Sequence, residues 1–168
     1  MKSLYTAFDR VDTWITGWMA RYGIVFLRVS LGIVYFWFGV LKFFPDFSPA
    51  MELATRTIDV ITSGLIPANV SILMLATVET LIGVGLFLGV FMRATLLLLF
   101  LQMLGTITPI FFFPQEVFTR VPYALTLEGQ YIVKNLVIIS AGLVIGATVR
   151  GGGVVADPEI ARKAKEKE

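Results

Sequence analysis

Four long apolar stretches, separated by segments richer in polar residues, glycine and proline, make up more than half of the chain. They cover residues 22–44, 69–92, 93–113 and 130–149. Each has roughly the length that a helix needs to cross the hydrocarbon core of a bilayer, about 20 mostly apolar residues. The pattern therefore predicts an all-α fold, an integral membrane four-helix bundle within residues 21–149.

The first twenty residues have an amphipathic pattern instead. Polar residues such as Asp9 and Asp12 fall mostly opposite an apolar stripe, and at helical spacing this stripe contains Leu4, Phe8, Val11, Ile15 and Trp18. The pattern favours an amphipathic helix of residues 1–20 lying in the membrane interface, with its tryptophans at the level of the headgroups. A frayed tail is the alternative.

The remaining segments lie outside the predicted spans. Residues 52–66, between the first two spans, are predicted to hold a short surface helix. Residues 150–168 begin with an arginine and three glycines and end in alternating charges, so we expect a charged cytoplasmic tail.

Composition supports the membrane assignment. Hydrophobic residues make up 57% of the 168 residues and charged residues only 15%. Soluble domains contain about 45–50% apolar residues even when glycine is counted. A soluble domain of this size would have too little interior to bury so much apolar surface, so we expect an integral membrane protein in contact with the lipid bilayer.

The distribution of basic residues predicts the orientation. With the amino terminus inside, nine basic residues lie in or beside the inner segments: Lys2, Arg10, Arg21, Arg93, Arg150, Arg162, Lys163, Lys165 and Lys167. Only Lys42, Arg56 and Arg120 then lie in or beside the outer ones. The positive-inside rule predicts that both termini are cytoplasmic. We further expect a multi-pass protein of a bacterial-type inner membrane.

Cysteine and histidine are both absent from the sequence. This excludes zinc or iron–sulfur clusters held by cysteine, haem held by histidine, dithiol redox chemistry and nucleophiles activated by histidine. We therefore expect no covalent or metal cofactor, and any electron carrier would be a bound quinone or a cofactor held by a partner. The modest net charge of +2 gives no reason to expect a nucleic acid partner.

Ionisable side chains inside transmembrane segments are costly, so each is a candidate functional residue. Four are present, namely Arg28 and Lys42 in the first span, Glu79 in the second and Lys134 in the fourth. Three neutral polar residues, Tyr35, Gln102 and Asn135, complete the set of ligand-binding candidates. The catalytic residue remains unknown, with Glu79 as the candidate proton shuttle.

Depth in the membrane predicts which of these charges meet. Glu79 lies near the midplane by the helical rise, Lys42 and Lys134 lie in the outer half, and Arg28 lies near the inner boundary. We therefore expect Glu79 to group with Lys42 and Lys134, and Arg28 to be separate. Arg28, Lys42 and Lys134 could each instead be anchors at a membrane boundary, and Glu79 a structural or a protonated, lipid-tolerated group.

Each predicted span also has one face of small or polar residues, which should point into the bundle. Gly32 and Gly39 flank the charged face of the first span, and Gly83 lies near Glu79 on the second. Such faces allow close approach of helices. In the third span Pro109 should kink the helix, and Thr106 or Thr108 should satisfy the freed backbone groups.

Several of these residues together resemble the DoxX-like membrane proteins, of the DoxX and YkgB type. Three sequence motifs carry the resemblance. The motif of the first span is Arg28-Val-Ser-Leu-Gly32 followed by Trp37-Phe-Gly39-Val-Leu-Lys42, and that of the second span runs from Glu79 through Gly83, Gly85 and Gly89 to Arg93. The motif of the last span is Gly129-Gln-Tyr-Ile-Val-Lys134-Asn135. The resemblance implies a four-helix membrane bundle with cytoplasmic termini. The family takes its name from a subunit of a thiosulfate:quinone oxidoreductase, and other members resemble accessory subunits or act in redox-stress systems.

These sequence features and the resemblance are compatible with three functions. The first is a non-catalytic accessory subunit of a membrane redox or energy-converting complex, with membrane protein partners or copies of itself. The second is a quinone-linked oxidoreductase subunit whose pocket contains Lys42, Glu79 and Lys134. The third is a small transporter, for which four helices form a thin pore wall unless the chain oligomerises.

Overall fold

Helices form wherever the sequence has long apolar stretches, and they dominate the computed structural model, which describes residues 2–44 and 51–166. Four of them are long and apolar enough to cross a membrane, at Phe8–Leu41, Ala68–Leu88, Met92–Phe112 and Leu127–Ala147. The predicted all-α, four-helix membrane architecture is therefore confirmed. In chain order the elements are α1 (Lys2–Leu41), α2 (Met51–Ile61), α3 (Ala68–Leu88), α4 (Met92–Ile107), α5 (Pro109–Phe112), α6 (Pro114–Val117), β1 (Phe118–Arg120), β2 (Ala124–Leu125), α7 (Leu127–Ala147) and α8 (Pro158–Lys165).

The first helix is longer than one transmembrane span. Its 40 residues form one continuous element with no break at the predicted boundary near residue 20. At 1.5 Å per residue it is about 60 Å long, roughly twice the hydrocarbon thickness of a bilayer. The segment contains no proline to interrupt it, and Gly17 and Gly23 are tolerated within it. Whether the first twenty residues lie in the membrane interface stays a prediction.

The four long helices form a ring in the order α1, α3, α4, α7, and each contacts both of its neighbours. Their inward faces enclose an apolar core that contains Tyr35 from α1, Ile82 and Leu86 from α3, Leu99 from α4 and Ile145 from α7. This core determines which polar side chains can reach each other, because it occupies the space between the four helices.

The contact between α1 and α3 is a direct approach of two backbones. A Cβ atom added at Gly32 would lie 2.7 Å from the Phe87 amide nitrogen, and one at Gly39 would lie 2.6 Å from the Thr80 amide nitrogen. A Cβ at Gly83 would collide with the backbone of Phe36. The predicted glycine faces are therefore the surfaces along which these two antiparallel helices meet.

The third span is interrupted where the sequence predicted. α4 ends at Ile107 and α5 begins at Pro109, which has no N–H to donate to the Gly105 carbonyl. The Thr108 hydroxyl donates to that carbonyl instead, at 2.6 Å. The predicted role of a threonine in satisfying the freed backbone group is confirmed.

The segments on the other side of the bundle from the termini are more structured than the sequence suggested. α2 overlaps residues 52–61 of the segment predicted to hold a surface helix and begins one residue before it. The antiparallel hairpin of β1 and β2 was not predicted, and it leads into α7, whose first turn is capped by the Thr126 hydroxyl accepting from the Gly129 amide. The tail also contains an unpredicted helix, α8, capped by the Asp157 carboxylate.

Candidate functional site

A buried ion pair joins the end of α1 to the middle of α3. The Lys42 Nζ lies 2.6 Å from the Glu79 Oε2, and these side chains are only 12% and 10% exposed. Lys42 directly follows the last residue of α1, and Gly39, one turn earlier, lets α1 approach the α3 backbone beside Glu79. The predicted proximity of Lys42 and Glu79 is confirmed.

A third helix contributes to the same group. The Gln102 Nε2 of α4 donates a hydrogen bond of 2.7 Å to the Glu79 Oε1. Each carboxylate oxygen of Glu79 therefore accepts from a different helix, Oε2 from the Lys42 ammonium of α1 and Oε1 from the Gln102 amide of α4. We refer to Lys42, Glu79 and Gln102, with the neighbouring Tyr35 and Thr80, as the polar cluster.

The polar cluster also contains unsatisfied polar atoms. Within the part of the chain that the structure describes, the buried Tyr35 hydroxyl, Thr80 hydroxyl and Gln102 Oε1 have no hydrogen-bond partner. Tyr35 is buried and precedes Lys42 by seven residues, so the two lie on one face of the first helix. Buried polar atoms are almost always hydrogen-bonded, so these atoms indicate capacity for water or for a polar group of a ligand. A tyrosine hydroxyl can donate, and the amide oxygen of a glutamine can only accept.

Arg28 is separate from the polar cluster, as predicted, and contacts the other end of α3. Its Nη1 donates to the carbonyl oxygens of Leu86 at 2.6 Å and of Phe87 at 3.3 Å, both in the last turn of α3. Carbonyls there have no partner within the helix, and the helix dipole favours a cation at this end. Gly89 ends the helix in the left-handed region, and a Cβ there would collide with the Arg28 guanidinium.

Lys134 does not join Glu79, so that part of the prediction is wrong. Its side chain is exposed, and its Nζ lies 5.7 Å from the centre of the Tyr131 ring. The neighbouring Asn135 points toward α4, where its Nδ2 donates to the Thr106 hydroxyl at 3.2 Å. Adjacent residues of a helix differ by roughly 100° in direction, so Lys134 points away when Asn135 points inward.

An open cleft that the sequence did not indicate lies near the amino-terminal end of α3. It has a volume of about 870 Å³, and its lining includes Glu52, Glu116, Glu128 and Arg56. Arg56 forms an ion pair with Glu116, and its guanidinium also lies 4.7 Å from the centre of the Phe113 ring. Glu52 and Arg56 were predicted as parts of a short surface helix, and Glu116 and Glu128 lie outside the predicted spans. Charges in such segments are ordinarily solvated, so they gave no signal of a common site.

The cleft lies above the polar cluster on the same face of α3. Ile72 lines the cleft, and Glu79 follows seven residues later. Residues seven apart share one face of a helix and lie about 10 Å apart along its axis. Two helical turns therefore separate the cleft from the buried carboxylate. Among residues 2–44 and 51–166, no group of three or more acidic residues could hold a metal ion.

Comparison with known proteins identifies the family. The family model described as DoxX matches residues 23–114, which include α3, α4 and all five residues of the polar cluster. The match ends before α7, the helix that carries Lys134 and Asn135. No curated protein and no solved structure matches the chain. Because the match covers more than half of the 168 residues, this chain is a member of the DoxX family of membrane proteins.

Proposed function

We propose that this chain is a non-catalytic accessory subunit of a larger membrane redox or energy-converting complex. The observation that carries this proposal is the amino-terminal part of α1. Residues 8–19 are helical, yet every one of them is exposed in the isolated chain. The rest of the described chain does not cover these side chains, so whatever covers the apolar ones lies outside the chain.

The exposed segment has the side chains of a docking surface. Phe8 is 71% exposed, Trp14 is 70% exposed and Trp18 is 45% exposed. Trp14 and Trp18 are four residues apart and therefore share one face, and the Trp18 ring also contacts the rings of Tyr22 and Phe26. Large aromatic side chains are enriched in interfaces between proteins. The occupant that fits is an apolar helix of a membrane-embedded partner subunit.

The polar cluster is compatible with a non-catalytic role. Both carboxylate oxygens of Glu79 are already used in bonds to Lys42 and Gln102. Bonds of this kind link α1, α3 and α4 to one another. The DoxX-like resemblance favours redox complexes as the setting, because the family is named after a subunit of such a complex.

Native mass spectrometry of the protein, extracted from its own membrane in mild detergent, tests this proposal. We expect a defined assembly with at least one different chain. Replacing both Trp14 and Trp18 by alanine should dissociate the assembly, whereas replacing Asp9 and Thr13 on the opposite face of α1 should not. A wild-type protein that is found alone, or only with copies of itself, would contradict the proposal.

A quinone-linked oxidoreductase subunit is the second candidate, and the unsatisfied atoms of the polar cluster favour it. The unsatisfied Tyr35 hydroxyl would donate to a quinone carbonyl, and the unsatisfied Gln102 Oε1 would accept from a quinol hydroxyl. Reduction of a quinone to a quinol consumes two electrons and two protons. An external donor would supply both electrons, and Glu79 would pass on two protons from water, one after the other. The cleft two turns above Glu79 would be the entrance.

The second candidate has a separate test. Glu79→Gln keeps the size of the side chain but removes the group that could shuttle a proton. Quinone-linked turnover should be abolished while the helical content and the monodispersity of the purified protein are retained. Unchanged turnover in this variant would exclude the mechanism.

A further inference from the structure

A second cleft lies at the end of the bundle where α4 begins and α7 ends. Its volume is about 550 Å³, within the range of roughly 300–1,000 Å³ that is typical of ligand-binding clefts. One wall is formed by Leu96, Leu97 and Phe100 of α4. Leu97 is 60% exposed, so this wall opens sideways toward the lipid as well as toward the membrane boundary.

The opposite wall is formed by the end of α7, and it is shallow because of one glycine. Gly146, Ala147 and Val149 line it. A Cβ added at Gly146 would meet only the Leu96 Cδ1, at an ordinary 3.5 Å. No close backbone contact requires glycine here, in contrast to the glycines between α1 and α3. The missing side chain therefore leaves room for an apolar chain between the two helices.

Two arginines stand at the polar end of this apolar cleft. Arg93 is in the first turn of α4, Arg150 follows α7 by three residues, and both line the cleft. Both side chains are exposed, and among the described residues neither takes part in an ion pair or a hydrogen bond within the chain. By contrast, Arg28, Arg56 and Arg162 all have partners in the chain.

The start of α4 adds to the positive potential at this end. Its N-cap residue, Phe91, provides no side-chain acceptor for the amides of the first turn. Unpaired amides and the helix dipole at an amino terminus both favour an anion. Arg93, Arg150 and the first turn of α4 therefore lie at the same end of the cleft, beside an apolar slot that opens to the bilayer.

We propose that this cleft binds one anionic phospholipid. Its phosphate would lie between Arg93 and Arg150, and one acyl chain would occupy the slot between α4 and α7. An anion with a long hydrocarbon chain satisfies both ends of the cleft, whereas a soluble phosphate satisfies only the arginines. The location agrees with the predicted orientation, since basic pockets between helices on the cytoplasmic side bind anionic lipids. This site is independent of the polar cluster.

Lipid retention measured by native mass spectrometry tests the proposal. The full chain is reconstituted with equal amounts of phosphatidylglycerol and phosphatidylcholine that carry the same acyl chains, and the retained lipid is measured after gentle activation. We expect one phosphatidylglycerol molecule to be retained in strong preference to phosphatidylcholine, and excess glycerol phosphate not to displace it. Equal retention of the two lipids, or displacement by glycerol phosphate, would overturn the proposal.

Two variants locate the site. Replacing Arg93 and Arg150 by glutamine should weaken phosphatidylglycerol retention about 30-fold, since each basic residue near an anionic headgroup contributes about 1 kcal/mol. Replacing the exposed Arg10 and Arg21 of α1 removes the same charge elsewhere and should leave retention unchanged. Gly146→Leu keeps all charges but fills the slot, and it should also reduce retention. Equal losses in the two double variants, or no loss in Gly146→Leu, would contradict the assignment.

Discussion

At the scale of single residues, Glu79 of α3 connects three segments of the bundle, because its two carboxylate oxygens accept hydrogen bonds from Lys42 at the end of α1 and from Gln102 of α4. The bond from Lys42 is short and nearly buried, and the bond from Gln102 has a length of 2.7 Å. Removing one member of a buried ion pair leaves an uncompensated charge, whereas replacing the whole pair by apolar residues is often neutral. The energetic role of Glu79 therefore depends on which partners remain.

Glu79→Ala is expected to lower the free energy of unfolding by about 3–5 kcal/mol, because Lys42 is left buried without its partner. A triple variant, Lys42→Met with Glu79→Leu and Gln102→Leu, should recover most of this loss. Denaturant titration in mixed micelles measures both variants. If the triple variant is as unstable as Glu79→Ala, the polar cluster contributes more than the pairing of its charges.

Arg28 is expected to act as a cap for α3. Arg28→Met should destabilise the protein by about 1–2 kcal/mol and Arg28→Lys by less, because lysine keeps the charge at the helix terminus but not the planar donor geometry. Faster hydrogen exchange at the Gly89 amide, which donates to Gly85 at the end of α3, would report the loss. Arg21→Gln serves as the control, since Arg21 is exposed on the same helix.

Residue type and depth were sufficient to predict the pairing of Lys42 with Glu79, but not the rest of the polar cluster. Gln102 was recognised as a polar group of the third span, yet its partner depends on the exact rotation of α4, which a face of small and polar residues defines only approximately. Lys134 was assigned to the wrong place for the same reason. Either Lys134 or Asn135 could face inward, and only the contact of Asn135 with Thr106 decides between them.

At the scale of elements, the packing of α1 against α3 depends on the absence of side chains. The Cβ positions of Gly32, Gly39 and Gly83 all lie against the backbone of the opposite helix. A polar bond joins the two helices at each end of this contact. Arg28 donates to a carbonyl at the end of α3, and Lys42 pairs with Glu79. Glycine spacing in the sequence predicted the faces correctly, whereas the hairpin and α8 were missed because short elements carry too little periodicity.

Gly83→Ala should separate α1 from α3 and cost about 1–3 kcal/mol, the usual penalty for overpacking. Gly105→Ala is the matched control, because nothing lies within 4 Å of a Cβ at Gly105. That control should be neutral or stabilising by up to about 1 kcal/mol, since alanine favours the helix. Thermal unfolding in detergent compares the two, and equal effects would show that the close approach is not needed for stability.

At the scale of the whole molecule, the four crossings place the start of α1, the start of α4 and the end of α7 on one side of the membrane. Arg93 and Arg150 lie on that side, and the cleft lined by Glu52, Glu116 and Glu128 lies on the other. Basic residues are thus concentrated on one side, whereas carboxylates occur on both sides, and three of them line the cleft on the other side. The number of crossings was predictable from hydropathy alone, but the two clefts were not, because each needs several helices in place.

The orientation is testable because the chain contains no cysteine. Tyr123→Cys places a thiol at an exposed position of the hairpin segment, and Gly153→Cys places one at an exposed position after α7. A membrane-impermeant maleimide should label the first in intact cells and the second only after permeabilisation. The reverse labelling pattern would show that the chain has the opposite orientation in the membrane, with the same fold.

The links between α1 and α3 also bear on how the protein is made. The partner of Lys42 lies 37 residues further along the chain and that of Arg28 lies 58 residues further, so at normal rates of synthesis they emerge about 2–7 s and 3–12 s later. During this interval the newborn first helix carries two charges in hydrocarbon without their partners. We therefore expect the first helix to stay bound to the insertion machinery until α3 has been inserted. Chains halted before α3 should be extracted from the membrane and degraded.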